Sequence, residues 1–121
     1  MKYLLLIYDN EQEWAALGEN GHLPIYQEYR SLRDELESKG NFLGGSQLMP
    51  TTTATSVRVR DGEQLITDGP FAETREQLGG YFLIQANDLD EAIAIAGRIP
   101  SARMGTIEVR PLAEAGAPAT A

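Results

Sequence analysis

The sequence predicts a single α+β domain, and three observations carry that prediction. The chain has 121 residues, 42% of them hydrophobic, which is enough for one modest core and too few for two. Short apolar segments with strand character are interleaved with two segments of helical periodicity. Finally, Val57-Arg58-Val59-Arg60 alternates strictly and runs into Asp61-Gly62, a strong hairpin turn, with Gln64 to Thr67 returning as the partner strand.

Taken in order, Met1 to Tyr8 reads as a strand because a run of Leu, Ile and Tyr ends at Asp9-Asn10, with apolar residues on both faces. Asn10 followed three residues later by Glu13 resembles a capping box, and Gly18 is a stop, so Glu11 to Leu17 is a short helix. A longer helix is expected from Pro24, with Ile25, Tyr29, Leu32 and Leu36 as its apolar stripe, an i,i+4 pair between Glu35 and Lys39, and Gly40 as its end. Phe42 to Met49 is a strand softened by Gly44-Gly45, and a Thr-rich connection after Pro50 leads into the hairpin. Tyr81 to Ala86 is again a strand apolar on both faces. Asp88 and Glu91 cap a helix striped by Leu89, Ala92, Ile93 and Ala96 and ended by Pro100. Thr106 to Leu112 is the last strand. The domain is thus residues 1–112, and 113–121 is a low-complexity tail expected to be disordered.

This order of strand, helix, strands, helix, strand matches the ferredoxin-like split βαβ arrangement with an inserted β-hairpin. Two main helices cover one face of such a sheet. Because two strands are apolar on both faces, the second face needs a cover as well, and a second copy of the sheet supplies it, so a homodimer is expected.

Composition narrows the function classes. A formal net charge of −8, with ten scattered Lys and Arg residues, repels phosphate backbones and argues against nucleic-acid binding. Absence of cysteine removes disulfides and thiolate chemistry and suits a reducing cytoplasm. The apolar run Tyr3 to Tyr8 is too short for a signal-peptide core or a membrane span. One histidine and no carboxylate series with ligand spacing leave no expected metal, and no cofactor is called for.

The most unusual stretch is Thr67 to Gly80. Gly69 is restricted by Pro70, whose φ is fixed, and Asp68 is placed to accept from backbone N–H groups just ahead, giving a rigid carboxylate at a strand end. Gly79-Gly80 permits a close backbone approach or a bulge where the next strand begins.

The string Asp68-Gly69-Pro70-Phe71-Ala72-Glu73-Thr74-Arg75-Glu76, followed by Leu78-Gly79-Gly80-Tyr81, resembles the signature of the DGPF branch of the YCII-related family. Matches extend from Lys2-Tyr3 through Trp14, Gly44-Gly45, Val57 to Gly62 and Arg98-Ile99-Pro100 to Glu108-Val109-Arg110-Pro111. The resemblance implies a dimeric α/β barrel. It also implies an enzyme with a candidate pair formed by a histidine on the first long helix and an aspartate near the sheet end, and a genomic association with alternative sigma factors. Here the histidine position falls on Tyr29, and His22 lies well before it.

The expected site is therefore Asp68 as acid or base, Tyr29 as an orienting hydroxyl and Arg75 as an anion clamp, with Glu73, Gly69, Pro70, Phe71 and Trp14 around a small organic ligand. A lyase or isomerase working by proton transfer fits those groups. Each has a plainer alternative: Asp68 a turn residue, Tyr29 a core residue, Glu73 and Arg75 a solvated loop, and His22 a helix-entry residue. The competing function is a non-catalytic ligand-binding or protein-interaction module linked to sigma-factor-type regulation.

Overall fold

The computed structural model describes residues 1–114, so the predicted tail lies, apart from Ala113 and Glu114, outside the described residues. Six strands and three α-helices follow in the order β1 (Lys2–Asp9), α1 (Glu11–Ala16), α2 (Gly18–Ser38), β2 (Phe42–Gln47), β3 (Thr55–Arg60), β4 (Glu63–Asp68), β5 (Gln77–Gln85), α3 (Leu89–Arg98) and β6 (Thr106–Pro111). Short 3-10 turns occupy Thr51–Thr53 and Pro100–Arg103. The fold is α+β. Four strands form one sheet in the order β2-β5-β1-β6, and every neighbouring pair in it is antiparallel. β5 therefore splits β1 from β2, and β1 splits β5 from β6, so each strand–helix–strand unit straddles a strand of the other.

The core lies between one face of this sheet and the helices. Strand alternation sends Tyr3, Leu5 and Ile7 of β1, with Phe82 and Ile84 of β5, to that face, where Leu32 and Leu36 of α2 meet them. Leu5, Leu36 and Ile84 are at most 1% exposed, and burying each stabilises the fold by roughly 1.5–3 kcal/mol. Leu4, Leu6 and Tyr8 of β1 and Tyr81 and Leu83 of β5 point to the other face and are half-buried.

Several expectations shift. α2 begins at Gly18 and takes Pro24 into its interior, where a missing N–H normally breaks a helix. Packing on α1 offsets that cost: His22 stacks on Trp14 with ring centroids 4.1 Å apart, and its Nε2 donates to the Trp14 carbonyl at 2.7 Å. α3 buries Ala92, Ile95 and Ala96, while Leu89 and Ile93, expected in its stripe, are exposed. The helix carries two overlapping i,i+3/i+4 series, and the one with two alanines approaches the sheet more closely. β2 ends at Gln47 rather than Met49, and β5 starts at Gln77, four residues before the expected Tyr81. Both helix caps form as predicted, Asn10 Oδ1 accepting from the Glu13 N–H at 3.0 Å and Asp88 Oδ1 from the Glu91 N–H at 2.9 Å.

The hairpin turns through Asp61 (φ 53°) and Gly62 (φ 77°), the left-handed pair that a two-residue turn of this kind demands. β3 and β4 pair only with each other, as a separate two-stranded sheet. No helix among the described residues is long and apolar enough to cross a membrane.

Candidate functional site

A cavity of about 930 Å³ opens between α2 and the β2–β5 side of the sheet, with α1 and the Leu48–Pro50 segment at its rim. Its size is within the range of roughly 300–1,000 Å³ common for small-molecule sites. The walls are mainly apolar: Ile7, Trp14, Leu23, Tyr26, Phe42 and Phe82 all face it. Trp14 stands edge-on to Tyr26 at 5.7 Å and Phe42 edge-on to Phe82 at 5.2 Å, so the aromatic walls brace one another.

Of the two carboxylates that line this cavity, Asp9 and Glu11, Asp9 is the one with no hydrogen-bond donor among the described residues. The parity that sends Tyr3, Leu5 and Ile7 into the core continues to Asp9, so the buried series of β1 ends in an acid. The opposing strand makes room for it. Ile7 pairs with Gly80 and Tyr8 with Leu78, leaving Gly79 as the extra residue of a bulge. A Cβ on Gly79 would lie 3.3 Å from Asp9 Oδ1, so the carboxylate rests against bare backbone. Desolvation raises the Asp9 pKa above 3.8, and the nearby Glu11 and Glu76 raise it further. No donor from the described residues opposes them.

Tyr29 also lines the cavity. Its hydroxyl is 2.7 Å from Ser101 Oγ, and its ring stands edge-on to Phe82 at 6.0 Å. Ser101 is only 3% exposed, so this bond satisfies a buried hydroxyl as well as holding the phenol. Burial raises the Tyr29 pKa above its ordinary value, against the lowering effect of Ser101, and Asp9 raises it further. Tyr29 is therefore a neutral hydroxyl lining the same cavity as the Asp9 carboxylate.

Two cations on α2, Arg30 and Arg33, line the same space. Arg33 gives its Nε to Glu37 at 3.3 Å and lies 4.8 Å over the Phe42 ring. Glu11, by contrast, is spoken for: its two carboxylate oxygens accept from the Thr51 N–H and hydroxyl, each at 2.7 Å. Among the described residues no three His, Asp or Glu side chains gather to hold a metal ion.

The residues singled out from sequence fall into two groups. Tyr29 and Trp14 line the cavity, whereas Asp68, Gly69, Pro70, Phe71, Glu73 and Arg75 do not. Asp68 is exposed at the end of β4, opposite Thr55, and is not part of the cavity lining that includes Tyr29. The reason is that the β3–β4 hairpin carries Asp68 away on its own small sheet. The start of the segment is held through Gly69 rather than through an Asp68 cap: the Gly69 N–H, at φ 96°, donates to Ala54 O at 2.7 Å, and the Ser56 hydroxyl donates to Gly69 O at 2.8 Å. Phe71 is 81% exposed. The far end of the segment does return to the cavity rim, where Asn10 Nδ2 donates to Arg75 O at 3.1 Å and the Glu11 N–H donates to Gln77 Oε1 at 2.9 Å.

Sequence reasoning missed Asp9, which reads as the punctuation that ends a strand, although its parity with Tyr3, Leu5 and Ile7 was visible. It also missed Ser101, Arg30 and Arg33. For the arginines a signal existed, since Tyr26, Arg30 and Arg33 share one helical stripe; for Ser101 there was none.

The YCII-related domain, as a family model, matches residues 1–115. An uncharacterised protein of Rhizobium meliloti (strain 1021) is 36% identical over 115 residues, with 93% of each chain covered. Since the whole described fold, from β1 through the cavity to β6, lies inside the matched span, the chain belongs to the YCII-related family.

Proposed function

We propose that the protein is a small-molecule enzyme, lyase- or isomerase-like, that transfers a proton on an organic ligand held in the cavity under α2. One observation carries this reading: Asp9 presents a carboxylate with raised pKa and no donor among the described residues to a large apolar cavity that also takes the Tyr29 hydroxyl. Asp9 would take a proton from carbon next to a carbonyl and return it to a neighbouring atom. Tyr29 would donate to the oxygen on which charge develops; with Ser101 donating to the phenol oxygen, the phenol proton is free to turn into the cavity. Proton transfer of this kind needs no group beyond the protein's own. In this reading Asp9 replaces Asp68 as the acid–base residue within a protomer.

The reading includes a homodimer packed through the open sheet face as a two-sheet barrel. It is supported by the outward Leu4, Leu6, Tyr8, Tyr81 and Leu83, which give that face an apolar centre beside the Glu108–Arg110 pair of β6, and a monomeric mass in solution would defeat it.

The enzymatic reading is tested by incubating the protein with small carbon acids in D2O and following deuterium incorporation by mass spectrometry. Incorporation by the wild type that Asp9→Asn abolishes is the expected result. Incorporation unaffected by Asp9→Asn would sink it.

A second reading, an interaction module, is favoured by one observation. Val57, Val59 and Ile66 share one face of the hairpin and are 54–63% exposed, with Phe71 beyond them. A pull-down that recovers no partner at low or moderate salt would count against it.

A further inference from the structure

We infer that the ligand of the cavity is an elongated, mainly apolar carboxylate, anchored by Arg30 and Arg33 and reaching Asp9 with its opposite end. This rests on the reading of the cavity as a ligand site and adds to it the class of ligand and its orientation. Charge placement carries the first step. Acidic residues outnumber basic ones 18 to 10, and Arg33, Lys39, Arg98, Arg103 and Arg110 each find a carboxylate. Lys2, Arg30, Arg58, Arg60 and Arg75 find none among the described residues, and of these Arg30 lines the cavity; Arg33 commits only its Nε to Glu37, leaving the two terminal nitrogens of its fork. Arg33 is further oriented by the Phe42 ring beneath it. Two guanidinium groups three residues apart on one helix face offer the planar, multidentate donor set that a carboxylate fits.

The second step is the polarity of the cavity along its length. Asp9, flanked by Glu11 and Glu76, makes one end negative, and Arg33, over Phe42, puts positive charge towards the other. An anionic head is repelled from the first end and held at the second, so the ligand lies in one direction only. The separation follows from register. Arg33 sits over Phe42, Phe42 packs on Phe82, and Phe82 pairs with Leu5, four residues before Asp9 on β1. At about 3.3 Å per strand residue, the level of Arg33 and that of Asp9 are about 13 Å apart along the strand direction, longer than a single ring. Between them the ligand meets Trp14, Tyr26, Phe42 and Phe82, which favour an aryl or alkyl body over a polar one.

The test is calorimetric titration of the full chain with biphenylcarboxylate and decanoate, against the neutral biphenylmethanol and decanol. The carboxylates are expected to bind at least tenfold more tightly than the alcohols. Arg30→Gln and Arg33→Gln should each lose about tenfold for the carboxylates only, with melting temperature unchanged, and Arg33→Lys should keep part of the affinity by keeping charge without the fork. Asp68→Asn, which lies outside the cavity lining, should bind the carboxylates as well as the wild type. Equal binding of acid and alcohol would overturn the anion anchor while leaving the cavity as a ligand site. No binding of any probe at millimolar concentration would overturn both. Carboxylate binding with no deuterium exchange on any of the small carbon acids of the D2O assay would uphold this inference and sink the proposed chemistry alone.

Discussion

The cavity under α2 and the hairpin with its following loop are built in opposite ways. The cavity is walled by elements that also make the core: Phe82 and Ile7 line it and belong to the buried cluster, and Tyr29 is tied to the buried Ser101. The hairpin has no such backing; its strands pair only with each other, and their residues are exposed except for the half-buried Ser56. The most distinctive string of the sequence, Asp68 to Phe71, stands on the second kind of scaffold, and the acid–base candidate Asp9 on the first. A two-stranded ribbon is marginal in water by itself, so the hairpin's role is settled by what it packs against, whereas a group fixed to a packed core is positioned in the isolated chain.

The largest expected effect breaks the two regions apart. Asp9→Asn should lower proton exchange by about 10²–10⁴-fold, the usual contribution of a positioned acid–base group, while Asp68→Asn should change it by less than about threefold. The reverse outcome, measured in the same D2O assay, would move the chemistry to the hairpin end and make the cavity a packing defect.

Next comes stability. Ile84→Ala removes a fully buried side chain opposite Tyr3 and should cost about 2–5 kcal/mol in urea denaturation. Ile66→Ala, at a position 63% exposed, should cost less than about 0.5 kcal/mol. If Ile66→Ala costs as much as the core change, and more so at higher protein concentration, the hairpin face is buried between copies.

These contrasts explain what was legible in the sequence. The hairpin was readable because its signal is local: alternation through Val57 to Arg60 and a turn at Asp61-Gly62 that needs two left-handed residues. The strand order was readable because a short list of topologies accommodates that order of elements. Where Pro24 sits could not be read, since the contact that holds the residues ahead of it, Trp14 on His22, crosses between two helices. The site was half legible for the same reason. Tyr29 and Trp14 were found on their helices, but pairing Tyr29 with a carboxylate required knowing that β1 and not β4 ends beside it. A short string with unusual residues drew attention to Asp68; Asp9 carries no such string and is disclosed only by the parity of its strand.

A smaller effect is expected at the two glycines that serve these regions. Gly79→Ala puts a methyl 3.3 Å from Asp9 Oδ1, so the carboxylate must shift, and exchange should fall by about tenfold with little loss of stability. Gly69→Ala meets no atom within 4 Å, but its φ of 96° strains any L side chain, so it should cost about 1 kcal/mol or more and leave exchange intact. Were Gly79→Ala silent in exchange and Gly69→Ala not, the active carboxylate would belong to the loop.

The smallest effect is a pH dependence in which a buried-side and a surface carboxylate have opposite signs. Asp9 has a folded pKa above its unfolded value near 3.8, so in the window above 3.8 the folded state holds more protons than the unfolded one, and stability falls as pH rises through it. Asp9→Asn should therefore melt higher than the wild type at neutral pH, with the gain vanishing below 3.8. Glu35 is the converse. The Arg98 guanidinium holds its pKa down from 4.5 to about 2, so its contribution is present above 4.5 and is lost as pH falls towards 2. Glu35→Gln should melt slightly lower than the wild type at neutral pH, the deficit closing in acid, and shrinking in high salt because both partners are exposed. Melting curves from pH 3 to 8 separate the two. An Asp9→Asn protein that melts lower than the wild type at neutral pH would mean that the carboxylate is paired in solution, and would remove the observation on which the proposed chemistry stands.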